Sequence, residues 1–184
     1  IDYIDSLVVS YKNKIDETDK TLRDNQIIKK FENHQIKEKI KNYIFSIETE
    51  VEDLESELES LKKKHKKFPE PQTLKEINSC IKKIKSREEK IGRIMARDFT
   101  TKTENKLLEV TNFASPEQMA NLLFKSKYGF RFEVIKYTED KKTKKKTNSP
   151  STDEEVLSQL EHLDKSGFIT QLLEYRGLTK LYST

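Results

Sequence analysis

The stretch IKNYIFSIETEVEDLESELESL, residues 40–61, places apolar side chains at Ile40, Ile44, Ile47, Val51, Leu54, Leu58 and Leu61. These positions alternate four and three apart, a heptad seam sustained for about three heptads. The flanks are charged, and acidic residues dominate from Glu48 to Glu59. Lysines follow between Lys62 and Lys67, where the negative end of a helix dipole favours them. Phe68-Pro69-Glu70-Pro71 then stops the helix. Thr73-Leu74-Lys75-Glu76 has the capping-box pattern and predicts a new helix start. Its seam is expected at Leu74, Ile77, Ile81, Ile84, Ile91 and Ile94, with a gap at Arg87-Glu88. Cys80 reads as a small buried hydrophobe beside that seam. Two such helices, joined by a short Pro-rich turn, predict an antiparallel hairpin. At ~1.5 Å per residue, a ~25-residue arm reaches roughly 38 Å.

Working outward, Ile1, Ile4, Leu7, Val8, Tyr11, Ile15 and Leu22 predict an amphipathic helix over residues 2–23, with a break at Asp24-Asn25. On the other side, residues 98–106 read as a polar connector or short helix. Ser115-Pro116-Glu117-Gln118 reads as an N-cap, a proline at the first helical position and a polar first turn. Met119, Leu122, Leu123 and Phe124 supply the apolar face of that helix. Residues 130–137 alternate and predict a short strand, and residues 139–148 a lysine-rich loop. Ser151 or Thr152 is expected to cap a helix whose first turn holds Asp153, Glu154 and Glu155. A last helix is predicted from about Gly167 onward, with Gly177 inside it.

The fold class that follows is mainly α. Long antiparallel helices carry an inserted coiled-coil-like helical hairpin and a small helical tip with at most a short strand. The expected division is an outgoing helix over 1–24, the hairpin over 25–106, the tip over 107–166 and a return helix over 167–184.

Composition agrees with an elongated helical protein rather than one with a large round core. Of 184 residues, 33% are hydrophobic and 37% charged, the mean hydropathy is −0.86, and Gly and Pro number four each. The net charge is only +4, yet it is segregated. Residues 123–150 hold nine Lys/Arg against three Asp/Glu. Such a basic patch suits phosphates or acidic lipid, or is a solvated loop. One cysteine excludes an internal disulfide. No apolar run approaches the ~20 residues of a membrane span, and no signal peptide is visible. The chain begins with Ile1, and both ends read as cuts in a longer protein.

No catalytic constellation is visible. His34, His65 and His162 lack metal-ligand spacing, and there is no Gly-rich phosphate loop or cysteine cluster. The acidic run of residues 48–59 reads as the solvated flank of the seam. Contact with phosphates is better supported, because helix N-termini present free backbone N–H groups and positive dipole ends. Ser115 and Ser151-Thr152 stand at two such starts, and their hydroxyls serve either as caps or as phosphate donors. Arg176 and Lys180 lie i, i+4 on one helix face, apart from the leucines. They either bind a phosphate backbone or face water.

Three segments then stand in a fixed order: Thr111-Asn112-Phe113-Ala114-Ser115-Pro116-Glu117-Gln118, Ser151-Thr152-Asp153-Glu154-Glu155-Val156-Leu157, and Leu173-Glu174-Tyr175-Arg176-Gly177-Leu178-Thr179-Lys180-Leu181-Tyr182-Ser183-Thr184. Over residues 110–184 this order resembles the thumb of family A DNA polymerases, the class of bacterial DNA polymerase I. Residues 2–23 resemble its outgoing helix. The resemblance implies a DNA-directed DNA polymerase of phage or bacterial type, working in a bacterial or phage-infected cytoplasm. Its thumb grips primer-template duplex DNA, and the remainder of the polymerase chain is its other partner. It implies that Asn112 and Ser115 touch the sugar-phosphate backbone. Ser151 and Thr152 would do so too, with loop lysines Lys144, Lys145 and Lys146, and Arg176 and Lys180 would lie along the duplex near the primer end. Catalytic carboxylates and their Mg belong to the palm of such an enzyme. The resemblance therefore implies no cofactor, metal or catalytic residue in this piece, and no activity from it alone.

The match departs from the family pattern at Ala114, where a second Asn is usual, and in the longer loop of residues 139–150. The largest departure is the insertion over residues 25–106. A hairpin at that place docks a processivity partner, extends along the DNA or is a structural embellishment; the residues leave these open. The competing reading of the chain is a coiled-coil interaction module without a nucleic-acid role. Membrane binding through the lysine loop is disfavoured, because no adjacent amphipathic helix exposes aromatics.

Overall fold

The computed structural model describes residues 2–139 and 145–183. It is mainly helical, with one two-stranded sheet. The first helix, α1, spans Asp2–Asp24. After a single-residue break at Asn25, α2 runs without interruption over Gln26–Lys67. Asn25 makes that restart possible: its Oδ1 accepts from Ile27 N at 2.9 Å, an Asx-type cap. The third helix, α3, spans Pro71–Met95. Short α4 (Lys102–Asn105) and α5 (Pro116–Ala120) follow, then α6 (Glu154–Glu161) and α7 (Phe168–Tyr182). The described residues form two compact units, one of residues 1–34 with 110–184 and the other of residues 35–109.

In the unit of residues 35–109, α2 and α3 run antiparallel. Cys80 Sγ donates to Leu54 O at 3.1 Å, Arg87 Nε meets Glu50 Oε2 at 2.6 Å, and Lys90 Nζ lies 5.0 Å from the Tyr43 ring. The α2 seam is the expected one, with Ile47 fully buried and its partners half-buried. The α3 seam differs. Thr73, Ile77, Cys80 and Ile94 are buried, Ile84, Arg87 and Ile91 half-buried, while Leu74 and Ile81 are exposed. The spacing is still four and three: Ile77, Ile84, Ile91 and Ile94 hold their expected places, Thr73 and Cys80 stand where Leu74 and Ile81 were expected, and Arg87 fills the expected gap. Charge decides it. A carboxylate at the expected gap, from Glu88, would stand against the acidic stretch of α2. The observed phase brings Arg87 there, long enough to reach Glu50 while its stem stays covered.

The capping box expected at Thr73 does not form, since α3 already starts at Pro71. Glu70 is the extended N-cap residue without a side-chain cap, and Pro71 at the first helical position gives up only an N–H that would be orphaned anyway. The capping box of this unit is Thr101 to Glu104, at the start of α4.

In the other unit, α7 packs along α1 and α6. Leu22, Ile28, Phe31, Phe113, Leu122, Leu157, Phe168 and Leu172 are among the buried residues of one core. Phe113 stands edge-on to both Phe168 and Tyr175, and Phe130 stacks on Phe168. After α5 the backbone widens into a π turn over Asn121–Lys125. The chain then folds back so closely that Phe130 N donates to Leu122 O at 2.9 Å and Phe132 N to Leu123 O at 2.8 Å.

Those bonds explain why residues 130–136 form no strand. Phe130 and Phe132 pack against the core, and Arg131 between them takes a left-handed φ of 59°. The strands lie further on: β1 (Tyr137–Glu139) pairs antiparallel with β2 (Lys146–Pro150), with Tyr137 opposite Pro150 and Glu139 opposite Lys146. Part of the predicted loop is therefore strand, and Thr138 and Thr147 meet across it through their hydroxyls.

Candidate nucleic-acid interface

Residues 111–115 form a loop whose shape is fixed by its own polar groups. Asn112 Oδ1 accepts from Ala114 N at 2.9 Å, and Asn112 N donates to Gln118 Oε1 at 2.7 Å. Ser115 Oγ accepts from Gln118 N at 3.4 Å and caps α5. Two buried side chains, Thr111 and Phe113, root the loop, while Asn112 is exposed.

Two arginines hold this loop. From α1, Arg23 Nη2 donates to Thr111 O at 3.1 Å and Nη1 to Glu32 Oε1 at 2.8 Å; the same oxygen accepts from Thr111 N at 3.0 Å. The Arg23 guanidinium also lies 4.8 Å from the Phe113 ring centre. From α7, Arg176 Nε donates to Phe113 O at 3.2 Å and Nη1 to Thr152 O at 2.5 Å. Burial pushes the Arg176 pKa down from its ordinary value. Its side chain is thus a clamp between two backbone segments. It does not stand beside Lys180 as a solvent-facing pair, as its helical spacing suggested. Backbone carbonyls without helical partners sit within reach of α7, and a planar fork with several donors satisfies two of them at once.

The Ser151-Thr152 segment is likewise built inward. Asp153, not Ser151 or Thr152, caps α6, its Oδ1 accepting from Val156 N at 2.9 Å. Ser151 Oγ donates to Asp153 Oδ2 at 2.8 Å and accepts from Asp153 N at 3.2 Å. A carboxylate is the stronger acceptor for a helix N-terminus, and the serine braces it. The Val156 N–H, and then Ser151 and Lys136, hold the Asp153 carboxyl below its usual pKa against the opposing effect of burial. Lys136 Nζ lies 2.9 Å from Glu155 Oε2 and 3.6 Å from Asp153 Oδ2, contacts that raise its own pKa.

These parts surround an open cleft of about 880 Å³. Ser151, Thr152, Arg176 and Lys180 line it, with Ala114 and Pro116 on either side of Ser115. Ser151 and Thr152 are only 4% exposed each, whereas Lys180 is exposed. Asn112 shares the loop but not the cleft lining. Lys145 and Lys146 are exposed at the start of β2, and Lys144 lies outside the described residues. Arg23, Glu32 and Lys136 were not read from the sequence as parts of this region, because nothing in their local spacing announces a partner about eighty or twenty residues away. The lining also holds Glu139 and Asp153; its basic side chains are Lys136, paired with Asp153 and Glu155, Arg176, turned to two backbone carbonyls, and Lys180. Among the described residues, no group of three or more His, Cys, Asp or Glu is placed to hold a metal ion, and no helix is long and apolar enough to cross a membrane.

A family model described as DNA polymerase family A matches residues 81–184, more than half of the chain. Comparison with curated proteins finds no match, and comparison with solved structures finds none either.

Proposed function

The chain belongs to DNA polymerase family A, and on that premise we propose that it is a thumb that grips primer-template duplex DNA by its sugar-phosphate backbone. The observation that carries the reading is the cleft itself. It gathers Ser151, Thr152, Arg176 and Lys180 beside the loop that bears Asn112 and Ser115, from segments separated in sequence by tens of residues.

In this reading the groups divide their labour. Arg176 and the inward-facing Ser151 keep the two loop segments in register. Exposed groups meet the phosphates: Asn112, Lys180, and Lys145 and Lys146 at the start of β2, with Lys144 beside them in sequence. Ser115 and Thr152 present the edges of the cleft. Such contacts fix register and carry no base sequence information, as a polymerase that copies any template requires. The phosphoryl transfer falls to the rest of a polymerase chain. The hairpin of residues 25–106 serves in this reading as the docking site of a processivity partner.

The test is a salt series with a fluorescent primer-template duplex, comparing the chain with a Lys145→Gln/Lys146→Gln/Lys180→Gln variant. Every cation that no longer meets a phosphate should reduce the slope of log affinity against log salt by about 0.9. Binding should therefore weaken and become less salt-dependent, with the melting temperature held. No binding at low salt, or a variant with an unchanged slope, would overturn the reading.

A further inference from the structure

The unit of residues 35–109 carries an apolar groove of about 440 Å³, with Ile44 and Phe45 of α2 and Met95 of α3 in its lining. Phe45 is 68% exposed and Met95 71%, so two large apolar side chains stand outside the seam, at the surface. Lys37, Lys41 and Arg97 rim the groove, all exposed. None of the three has an ion-pair partner among the described residues. The carboxylate of Glu48 lies two turns further along α2.

Arg97 adds an independent observation. Its φ is 60°, the left-handed conformation that closes α3, with Arg97 N donating to Ile94 O and Asp98 N to Arg93 O, both at 2.9 Å. Glycine is the usual residue at such a helix end, because a side chain there is strained. No hydrogen bond or ion pair of the Arg97 side chain within the described residues offsets that strain.

We propose that this groove docks a short amphipathic helix of a partner protein, with apolar anchors on the floor and acidic residues against Lys37, Lys41 and Arg97. The inference deepens the reading of the hairpin as a docking element and rests on it. The apolar floor selects against a bare polyanion, which has nothing to bury there. A volume of this size takes a few anchor side chains, the scale of a helix laid in a groove. Exposed Met is suited to such a surface because its flexible thioether adapts to the anchor. The three cations set the sign of the partner, and Glu48 opposes an acidic helix that overruns the basic end.

The test uses the whole chain and a fluorescein-labelled Glu/Leu peptide with leucines at i, i+3 and i+4 spacing. Anisotropy should show saturable binding that weakens with salt, while the matching Lys/Leu peptide does not bind. Arg97→Gly should weaken binding about tenfold without lowering the melting temperature, because glycine suits that backbone. Phe45→Ser should lose binding as well, at a position too exposed to threaten the fold. Titrated with primer-template duplex, both variants should bind as the unaltered chain does, which separates failure of this inference from failure of the thumb reading. Equal binding of the Lys/Leu peptide, no saturation at low salt, or an unaffected Arg97→Gly would overturn the proposal. So would concentration-dependent self-association abolished by Phe45→Ser, since a second copy would then fill the groove.

Discussion

Arg176 reaches the carbonyl of Thr152 with Nη1 at 2.5 Å while its Nε holds the carbonyl of Phe113 at 3.2 Å. One guanidinium on α7 thus ties the loop that precedes α5 to the loop that precedes α6. Removing it should cost about 2 kcal/mol, the usual scale for hydrogen bonds made by a charged group. Arg176→Ala should lower the urea midpoint accordingly. Arg176→Lys should recover little, because a single ammonium nitrogen cannot stand at the two places that Nε and Nη1 occupy. A lysine variant as stable as the unaltered chain would mean that charge, not the fork, is what matters at this place.

Glu104 gives the hairpin unit a pH dependence of known sign. Its carboxylate is fully buried and accepts from Thr101 N at 3.0 Å and Thr100 N at 2.8 Å, with Arg93 3.6 Å away. The Thr101 backbone N–H contributes most, and together these groups lower its pKa from 4.5 to about 2, against the opposing effect of burial. A folded-state pKa below the unfolded one adds stability above pH ~4.5, which is lost as pH falls towards ~2. Glu104→Gln should cost about 1 kcal/mol at neutral pH, because the amide keeps an acceptor for those N–H groups but not the charge that strengthens their bonds. Melting curves of the two proteins should converge between those pH values. A gap that stays constant or widens on acidification would show that the carboxylate is not held in this way.

How much of this was legible in advance depends on the range of the interaction. Helix existence came through strongly, because periodicity and the Pro69-Glu70-Pro71 stop are local signals. The Thr101-Lys102-Thr103-Glu104 pattern is just as local and names the capping box that forms. The reading of residues 98–106 as a connector or short helix allows the helix that forms, though it does not name its cap. The role of Arg176 was out of reach, because its two acceptors lie 63 and 24 residues away. Nor does spacing show that Asp153 outcompetes its two hydroxyl neighbours for the α6 start. Of the residues that line the cleft, Ser151, Thr152, Arg176 and Lys180 were named from the sequence, while the orientation of Arg176 was set by long-range backbone acceptors.

Gly129 marks a second long-range constraint. A Cβ there would overlap the carbonyl of Leu122, the same oxygen that takes the Phe130 N–H. Gly129→Ala should therefore push the returning chain off the π turn and destabilise by about 3 kcal/mol, at the upper end of overpacking costs. Gly177 is the control, since nothing lies near its own Cβ position inside α7. Gly177→Ala should raise stability by up to about 1 kcal/mol, through helix propensity. Equal midpoints for the two variants in urea would deny the close approach.

The phase of the α3 seam can be read out by a pair of truncations. Ile77 is 8% exposed and Ile81 45%, although both belong to the apolar series that the sequence presents. If Arg87 rather than Glu88 faces α2, the layers fall at Thr73, Ile77, Cys80 and Ile84, and Ile81 lies to one side. Ile77→Ala should then cost about 2–4 kcal/mol, a transfer term plus the cavity left behind. Ile81→Ala should stay within about 0.5 kcal/mol, as exposed substitutions do. Arg87→Ala should remove the pair with Glu50, which is exposed and worth little, yet Glu88→Ala should change nothing at the seam. A reversed order of Ile77→Ala and Ile81→Ala in thermal melts would mean that Ile81, not Ile77, faces α2.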